Sequence, residues 1–319
     1  MSGHGSGKVI LLGEHAVVHG VPAIAAGLEA GAVARVVDGE AELRIAPWGV
    51  LVRAGDASPL GAAFAALLEA RRRDAIDGVR ANEHALEAHV TLPGSAGLGS
   101  SAALGVAVLR ALDEIDGISR DFDRSQAIAL AWERVFHGNP SGIDTALALS
   151  GGLARYLRNP PPGEPALRPI TGARTLSLVV AHSGAPGSTK ETVAGVALRK
   201  TADPQAFERT LAAFREVVAM GEAALARGDL GALGACFDRC QSLLAGWGVS
   251  TPTLDAMCAC AKEAGALGAK LTGGGGGGCM IALAEASDRA RVREALASRG
   301  HEAFETTIGP ARPENTERA

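Results

Sequence analysis

The sequence predicts an α+β protein of two domains, and three observations carry that expectation. Short runs of apolar and β-branched residues, such as Lys8 to Leu12, recur through the first half between helix-like segments. A proline-rich loop, Asn159 to Glu164, separates that half from one whose pattern is mainly helical. The 319 residues also suffice for two cores. The expected division is 1–170 and 171–319.

Composition removes several classes of function. Hydrophobic residues make up 47% of the chain and charged residues 21%, the balance of a water-soluble globular protein. Aromatics are only 3%, too few for a platform that stacks single-stranded bases. The formal charge is −4 and no basic run exceeds Arg71 to Arg73, so no nucleic-acid partner is expected. Those arginines suit a helix C-terminus, where cations are favoured. The apolar run Val9 to Leu12 is too short for a signal peptide or a membrane span, so a cytoplasmic protein without membrane contact is expected. The five cysteines are odd in number and confined to the last third, which points to buried reduced thiols.

Taken in order, Lys8 to Leu12 predicts a buried strand that Gly13 ends, leading into GEHAVVHG, Gly13 to Gly20. Pro22 to Gly27 and Val33 to Val37 predict two further strands, and Glu40 to Ile45 another. Pro59 to Arg73 is helical in pattern, and Ala85 to Leu92 alternates as a strand with Glu87 and His89 on one face. Helices follow over Ala102 to Leu112 and Ser125 to Phe136, the latter stopped by His137-Gly138-Asn139-Pro140. The tetrapeptide Ser141 to Asp144 opens an apolar segment to Leu149, and Gly151 to Leu157 predicts a strand. Beyond the boundary, Leu176 to Ala181 predicts a strand, with helices over Thr189 to Lys200, Pro204 to Arg227, Leu230 to Trp247 and Thr253 to Gly265. Lys270-Leu271-Thr272 then enters six glycines, Gly273 to Gly278, before the strand Cys279 to Leu283 and a last helix from Asp288 to Ser298.

The stretch PGSAGLGSSAA, Pro93 to Ala103, feeds a helix N-terminus. Such a terminus offers unpaired backbone N–H groups and the positive end of the helix dipole, and Gly97 and Gly99 allow a bound group to come close. That describes a cradle for an anion, most simply phosphate. The competing reading is a glycine-rich turn capped by Ser100 or Ser101. Neither GxxxxGK[ST] nor GxGxxG fits, because Ala102 stands where the latter needs its third glycine.

Four segments taken together are more specific than any one glycine pattern: Gly7 to Gly20, Pro93 to Ala103, ERVFHGNPSGID from Glu133 to Asp144, and LTGGGGGGC from Leu271 to Cys279. The set resembles the GHMP kinase superfamily over almost the whole chain, and within it is most similar to the mevalonate kinase branch. His15 and the continuation Ala16-Val17-Val18-His19-Gly20 separate it from galactokinase-like and phosphomevalonate-kinase-like patterns. The usual motifs are departed from in three places: Ser6 replaces a proline, Thr145 an asparagine, and the stretch Gly274 to Gly276 lacks the usual alanine.

That resemblance implies a GHMP kinase fold, with a ribosomal-protein-S5-like N-terminal domain, a ferredoxin-like C-terminal domain and the active site in the cleft between them. It implies ATP and Mg²⁺ as cofactors and phosphorylation of the 5-hydroxyl of (R)-mevalonate. Pro93, Gly94, Ser95, Gly97, Leu98, Gly99, Ser100 and Ser101 would surround the ATP phosphates, and Ser101 and Glu133 would hold the metal. Asp144 would act as base on the hydroxyl with Lys8 beside it. Lys8, Glu14, His15, Val18, Asp144, Tyr156, Thr189, Thr272 and Gly273 would line the acceptor side, with Lys8 and Lys190 the cations available to the mevalonate carboxylate. Relatives are often dimers, so a homodimer is among the expectations. Four bland alternatives stay open: Glu133 as a solvated helix carboxylate, Asp144 as a helix N-cap, His15 as an exposed residue and Tyr156 as a core residue. A non-catalytic sensor on the same scaffold is the alternative from another class, and it has no use for Lys8, Ser101, Glu133 and Asp144 together.

Overall fold

The computed structural model describes residues 1–74, 84–92 and 97–310. Its first half is built on a long antiparallel pair, β1 (Ser2–Leu12) and β2 (Ala23–Val37). The other edge of β2 is shared: β5 (Ala85–Val90) lies along its C-terminal half and β6 (Leu153–Tyr156) along its N-terminal end. With β3 (Glu42–Ile45), β4 (Val50–Arg53) and β7 (Leu167–Pro169) this makes a seven-stranded sheet in the order β4-β3-β5-β2-β6-β7, with β1 also on β2. Among the described strands, the β3–β5 pair runs parallel and the others antiparallel. Helices α1 (Pro59–Arg73), α2 (Ser100–Asp116), α3 (Phe122–His137) and α4 (Ile143–Ser150) belong to this half.

The second half carries a four-stranded antiparallel sheet of β8 (Leu176–His182), β9 (Gly268–Leu271), β10 (Cys279–Ala284) and β11 (Glu302–Ile308), ordered β11-β8-β10-β9. Its helices are α5 (Thr189–Ala202), α6 (Pro204–Arg227), α7 (Leu230–Gly246), α8 (Pro252–Glu263) and α9 (Arg289–Ser298). One contiguous apolar cluster runs from Leu11 and Ile24 in the first sheet to Leu178 and Ile281 in the second. Among the described residues no helix is long and apolar enough to cross a membrane. All five cysteines are buried and unpaired.

Two strands differ from expectation for one reason. β1 begins at Ser2 rather than Lys8, and β2 is continuous across Gly27 and Gly31, where the sequence suggested two strands. Glycine is a poor strand former, but here it marks places where backbones meet without side chains between them. A Cβ on Gly3 or Gly5 would overlap the carbonyl oxygens of Ala107 and Ala103 on α2. A Cβ on Gly27 would stand 2.6 Å from Gly151 Cα. β4, β7 and β11 carried no strand signal, being three or four residues long or, in β11, mostly polar.

α1 keeps its expected limits because its start is chemically marked. Ser58 accepts a hydrogen bond from Gly61 N at 3.0 Å, and Pro59 occupies the first turn, where no donor is missed. Arg71 in its last turn is buried and donates to Asp113 and Asp116, both at 2.7 Å, and to the Leu112 carbonyl at 2.8 Å. Arg120 joins the same network through Asp113 and Asp74. The C-terminal end of α2 is thereby clamped to α1 and to the chain entering α3.

Filling the β1–α2 contact is therefore expected to destabilise. Gly5→Val should lower unfolding free energy by about 1–3 kcal/mol or more through overpacking. Gly195→Ala, on α5 with nothing within 4 Å of the added carbon, should be neutral or stabilising by up to about 1 kcal/mol. Urea denaturation of both variants checks the contrast.

Candidate active site

Lys8 sits on β1 where the strand passes the N-terminus of α2. Its backbone N–H donates to the Leu98 carbonyl at 2.8 Å, and its ammonium donates to the Gly97 carbonyl at 3.1 Å. The same ammonium pairs with Asp144 Oδ1 at 2.8 Å. The lysine side chain is 5% exposed and the aspartate 32%, so the pair is walled on one side and open on the other. Gly99, with φ +74°, is the residue that caps α2, and a Cβ there would stand 3.4 Å from both Asp144 Oδ1 and Lys8 Cβ. A glycine at this point lets the helix end approach the ion pair.

Two capping alternatives are corrected by this geometry. Neither Ser100 nor Ser101 caps α2; they occupy its first turn behind Gly99, which leaves their hydroxyls for other partners. Asp144 does not cap α4 either, because the cap is Gly142 with φ +87° and Asp144 lies in the first turn. A carboxylate there is favoured by the helix dipole as well as by Lys8. Pro93, Gly94 and Ser95 lie outside the described residues.

In the same first turn of α2, Ser101 Oγ donates to Glu133 Oε1 at 2.6 Å and accepts from Trp132 Nε1 at 3.1 Å. His137 Nε2 lies 3.6 Å from the other Glu133 oxygen, one turn along α3. Glu133 is buried, and burial pushes its carboxyl up to about 7; the negative charge of Asp144 adds to the shift, while Ser101 and Lys8 pull the other way. Asp144 has a lysine and Glu133 has none, so a divalent cation held by this hydroxyl and carboxylate would relieve an imbalance already present. The donors, a neutral hydroxyl and a hard carboxylate oxygen, suit Mg²⁺.

The acceptor-side residues divide. His15 has φ +58°, a conformation uncommon outside glycine, and its Nε2 lies 2.9 Å from the Gly274 carbonyl. A carbonyl can only accept, so Nε2 carries the hydrogen; burial keeps the ring's pKa below its ordinary value, and Nδ1 is left as an acceptor. Val18 packs beside the cluster that contains Tyr156 and Ile143. The Tyr156 hydroxyl donates to the Ser141 carbonyl at 2.7 Å, bracing the entry to α4, and burial pushes it up to about 12. Thr189 is exposed at the start of α5 and faces Gly274, where a Cβ would overlap its hydroxyl. Gly273 packs on Gly97, so the two glycine loops meet.

Glu14 and Thr272 are placed differently from expectation, since neither offers surface to a ligand. Glu14 is 0% exposed, pairs with Lys270 and accepts from Cys240 Sγ at 3.6 Å. Burial pushes its carboxyl up against the pull of Lys270. Thr272 Oγ1 exchanges hydrogen bonds with the backbone of Ile10, at 3.0 and 3.1 Å. Both tie β1 to β9. Two residues went unnoticed in the sequence. Lys270 stands in the motif that enters the glycine run, and Arg158 lines a cavity of about 320 Å³ with Gln126, Asn139, Ser141 and Tyr156, beside the N-terminus of α4.

Residues 60–152 match the family model described as GHMP kinases N terminal domain, and residues 222–302 that described as GHMP kinases C terminal. The fold is thus that of the GHMP kinases. A mevalonate kinase of Aeropyrum pernix is 31% identical over 311 residues, covering 95% of this chain and 94% of its own. One from Pyrococcus horikoshii is 33% identical over 301 residues, covering 88% of each. The crystal structure of L. major mevalonate kinase in complex with R-mevalonate superposes with a TM-score of 0.84 at 30% identity, over 97% of this chain and 96% of that one. The chain belongs to the mevalonate kinase family.

In metal-free buffer the raised Glu133 carboxyl should be visible in stability. Its folded pKa lies above its unfolded value, so its contribution is present below about pH 4.5 and is lost as pH rises through about 7. Glu133→Gln, which cannot ionise, should melt like the parent near pH 5 and higher than it at pH 8, by at most about 3 kcal/mol. Thermal denaturation in EDTA at both pH values checks this.

Proposed function

We propose that this protein transfers the γ-phosphoryl group of ATP to the 5-hydroxyl of (R)-mevalonate, with residues 1–170 forming the nucleotide-binding and catalytic domain and 171–319 the second domain. The observation that carries the reading is the Lys8–Asp144 pair, 2.8 Å apart and set against the glycine cap of α2, in a chain of this family. Phosphoryl transfer needs donor and acceptor oxygens held in line while spreading charge is neutralised.

Each part of the site has a task in that reaction. The first turn of α2 holds phosphate oxygens on its unpaired N–H groups. Ser101 and Glu133 would hold Mg²⁺, which when bound supplies positive charge to the β- and γ-phosphates. Asp144 orients the acceptor hydroxyl. A carboxylate is too weak a base to ionise an alcohol beforehand, so the proton moves late, as the bond to phosphorus forms. Lys8 holds the Asp144 carboxylate in place and stabilises developing negative charge on the transferring oxygens. His15, kept neutral, offers an acceptor to a substrate hydroxyl.

For the substrate carboxylate, Lys8 is already engaged and Lys190 is exposed on α5, whereas Arg158 lines the cavity beside Asp144's helix. We assign the carboxylate to Arg158. Its guanidinium holds Asn139 Oδ1 at 2.9 Å, an exposed contact that a carboxylate can replace.

A coupled ADP-release assay across mevalonate, phosphomevalonate, galactose and homoserine tests the assignment: turnover with mevalonate alone supports it, and ATP binding without turnover on any of them would favour a sensor. Asp144→Asn should lower kcat by about 10²–10⁴-fold with ATP affinity nearly unchanged. Arg158→Ala should raise KM for mevalonate by about 10- to 100-fold with kcat within a few-fold, the loss of one charge-assisted hydrogen bond. Near-normal kcat in the first variant or an unchanged KM in the second would reject the corresponding role.

A further inference from the structure

Trp132 has no part in the chemistry above, yet it is fully buried and its indole N–H donates to the hydroxyl of Ser101 at 3.1 Å. That hydroxyl in turn donates to Glu133 Oε1 at 2.6 Å. Successive residues on an α-helix point about 100° apart. Trp132 and Glu133 are successive on α3, so the helix reaches one oxygen of α2 from two directions.

A serine hydroxyl has one hydrogen and two lone-pair directions, and it normally rotates to suit its surroundings. Here the hydrogen is committed to Glu133 and one lone pair to the indole. A single acceptor direction remains. The ring itself cannot turn away: a Cβ on Gly105, one turn along α2 from Ser101, would stand 2.9 Å from Trp132 Cγ, and Phe136 lies against the indole with centroids 6.1 Å apart. The slot exists because position 105 has no side chain.

We infer that Trp132 is a positioning residue that locks the Ser101 hydroxyl, so that its one free lone pair is presented to the divalent cation Glu133 would hold. The inference rests on the metal role proposed for Ser101 and Glu133. It adds that the serine is set before the metal arrives, by an aromatic donor that touches neither metal nor substrate. A tryptophan buried only for packing needs some acceptor for its N–H, and any carbonyl would serve. This one ends on the hydroxyl that is itself proposed as a ligand, which gives it a measurable signature.

Trp132→Phe keeps a ring in the slot and removes the donor. With Mn²⁺ as probe and a non-hydrolysable ATP analogue present, free Mn²⁺ followed by electron paramagnetic resonance should show about tenfold weaker binding, the usual scale for losing a partner that orients a metal ligand. Ser101→Ala should weaken Mn²⁺ binding as well, and adding Trp132→Phe to it should change nothing more, because the indole acts only through that hydroxyl. Unaltered Mn²⁺ affinity in Trp132→Phe, or equal further weakening in the Ser101→Ala background, would overturn the inference. Unaltered affinity in Ser101→Ala would instead sink the metal assignment beneath it. Should the phenylalanine variant fold poorly, benzothienylalanine placed at position 132, of the same shape but without N–H, answers the same question.

Discussion

The approach of α2 to β1 is the constraint on which the rest of the site depends. Gly3 and Gly5 put bare backbone against Ala107 and Ala103, so the helix and strand meet at a separation that any side chain would increase. Three residues further along the same strand is Lys8, and at the same end of the helix are Gly99 and Ser101. The distance between a lysine on a strand and the first turn of a helix is thereby set by small residues at some remove from either. The other end of α2 is held by the buried Arg71, whose pairs with Asp113 and Asp116 offset the cost of taking these charges out of water.

Within that frame two carboxylates have unequal surroundings. Asp144 is half-open to solvent and paired with Lys8; Glu133 is buried, shares one hydroxyl and feels Asp144 as a repulsive neighbour. Environments that separate two similar groups are how one site assigns them different work. In the proposed reaction one meets the acceptor oxygen and the other the metal, a division consistent with their partners.

Much of the fold was legible because its boundaries are local chemistry. The limits of α1 follow from Ser58 and Pro59, and the stop of α3 from Gly138 and Pro140. The glycines of β1 and β2 misled because their meaning is tertiary: they make room for α2 and for the Gly151 turn, which no window along the chain can reveal. The same limit separates the site residues. Lys8, Ser101, Glu133 and Asp144 stand in motifs that can be seen whole. The pairing of Glu14 with Lys270 spans the chain from one sheet to the other, and an acid beside a histidine looks the same in sequence whether it faces a ligand or a buried lysine. Trp132 lies within the predicted helix Ser125 to Phe136 with nothing in the sequence to single it out, and its donor role appears only when α3 is laid against α2.

The Gly274 carbonyl accepts from two sides, from His15 Nε2 at 2.9 Å and from Thr192 Oγ1 at 2.7 Å. Thr192 belongs to α5, a helix with Val196 as its one buried residue, and so among the elements least anchored by burial. One oxygen of the six-glycine loop thus joins α5 in the second half to a histidine with φ +58° in the first. The ring of His15 and the first turns of α5 take their positions from the same backbone atom, so the loop is a shared reference point for both halves and not merely a spacer between two strands.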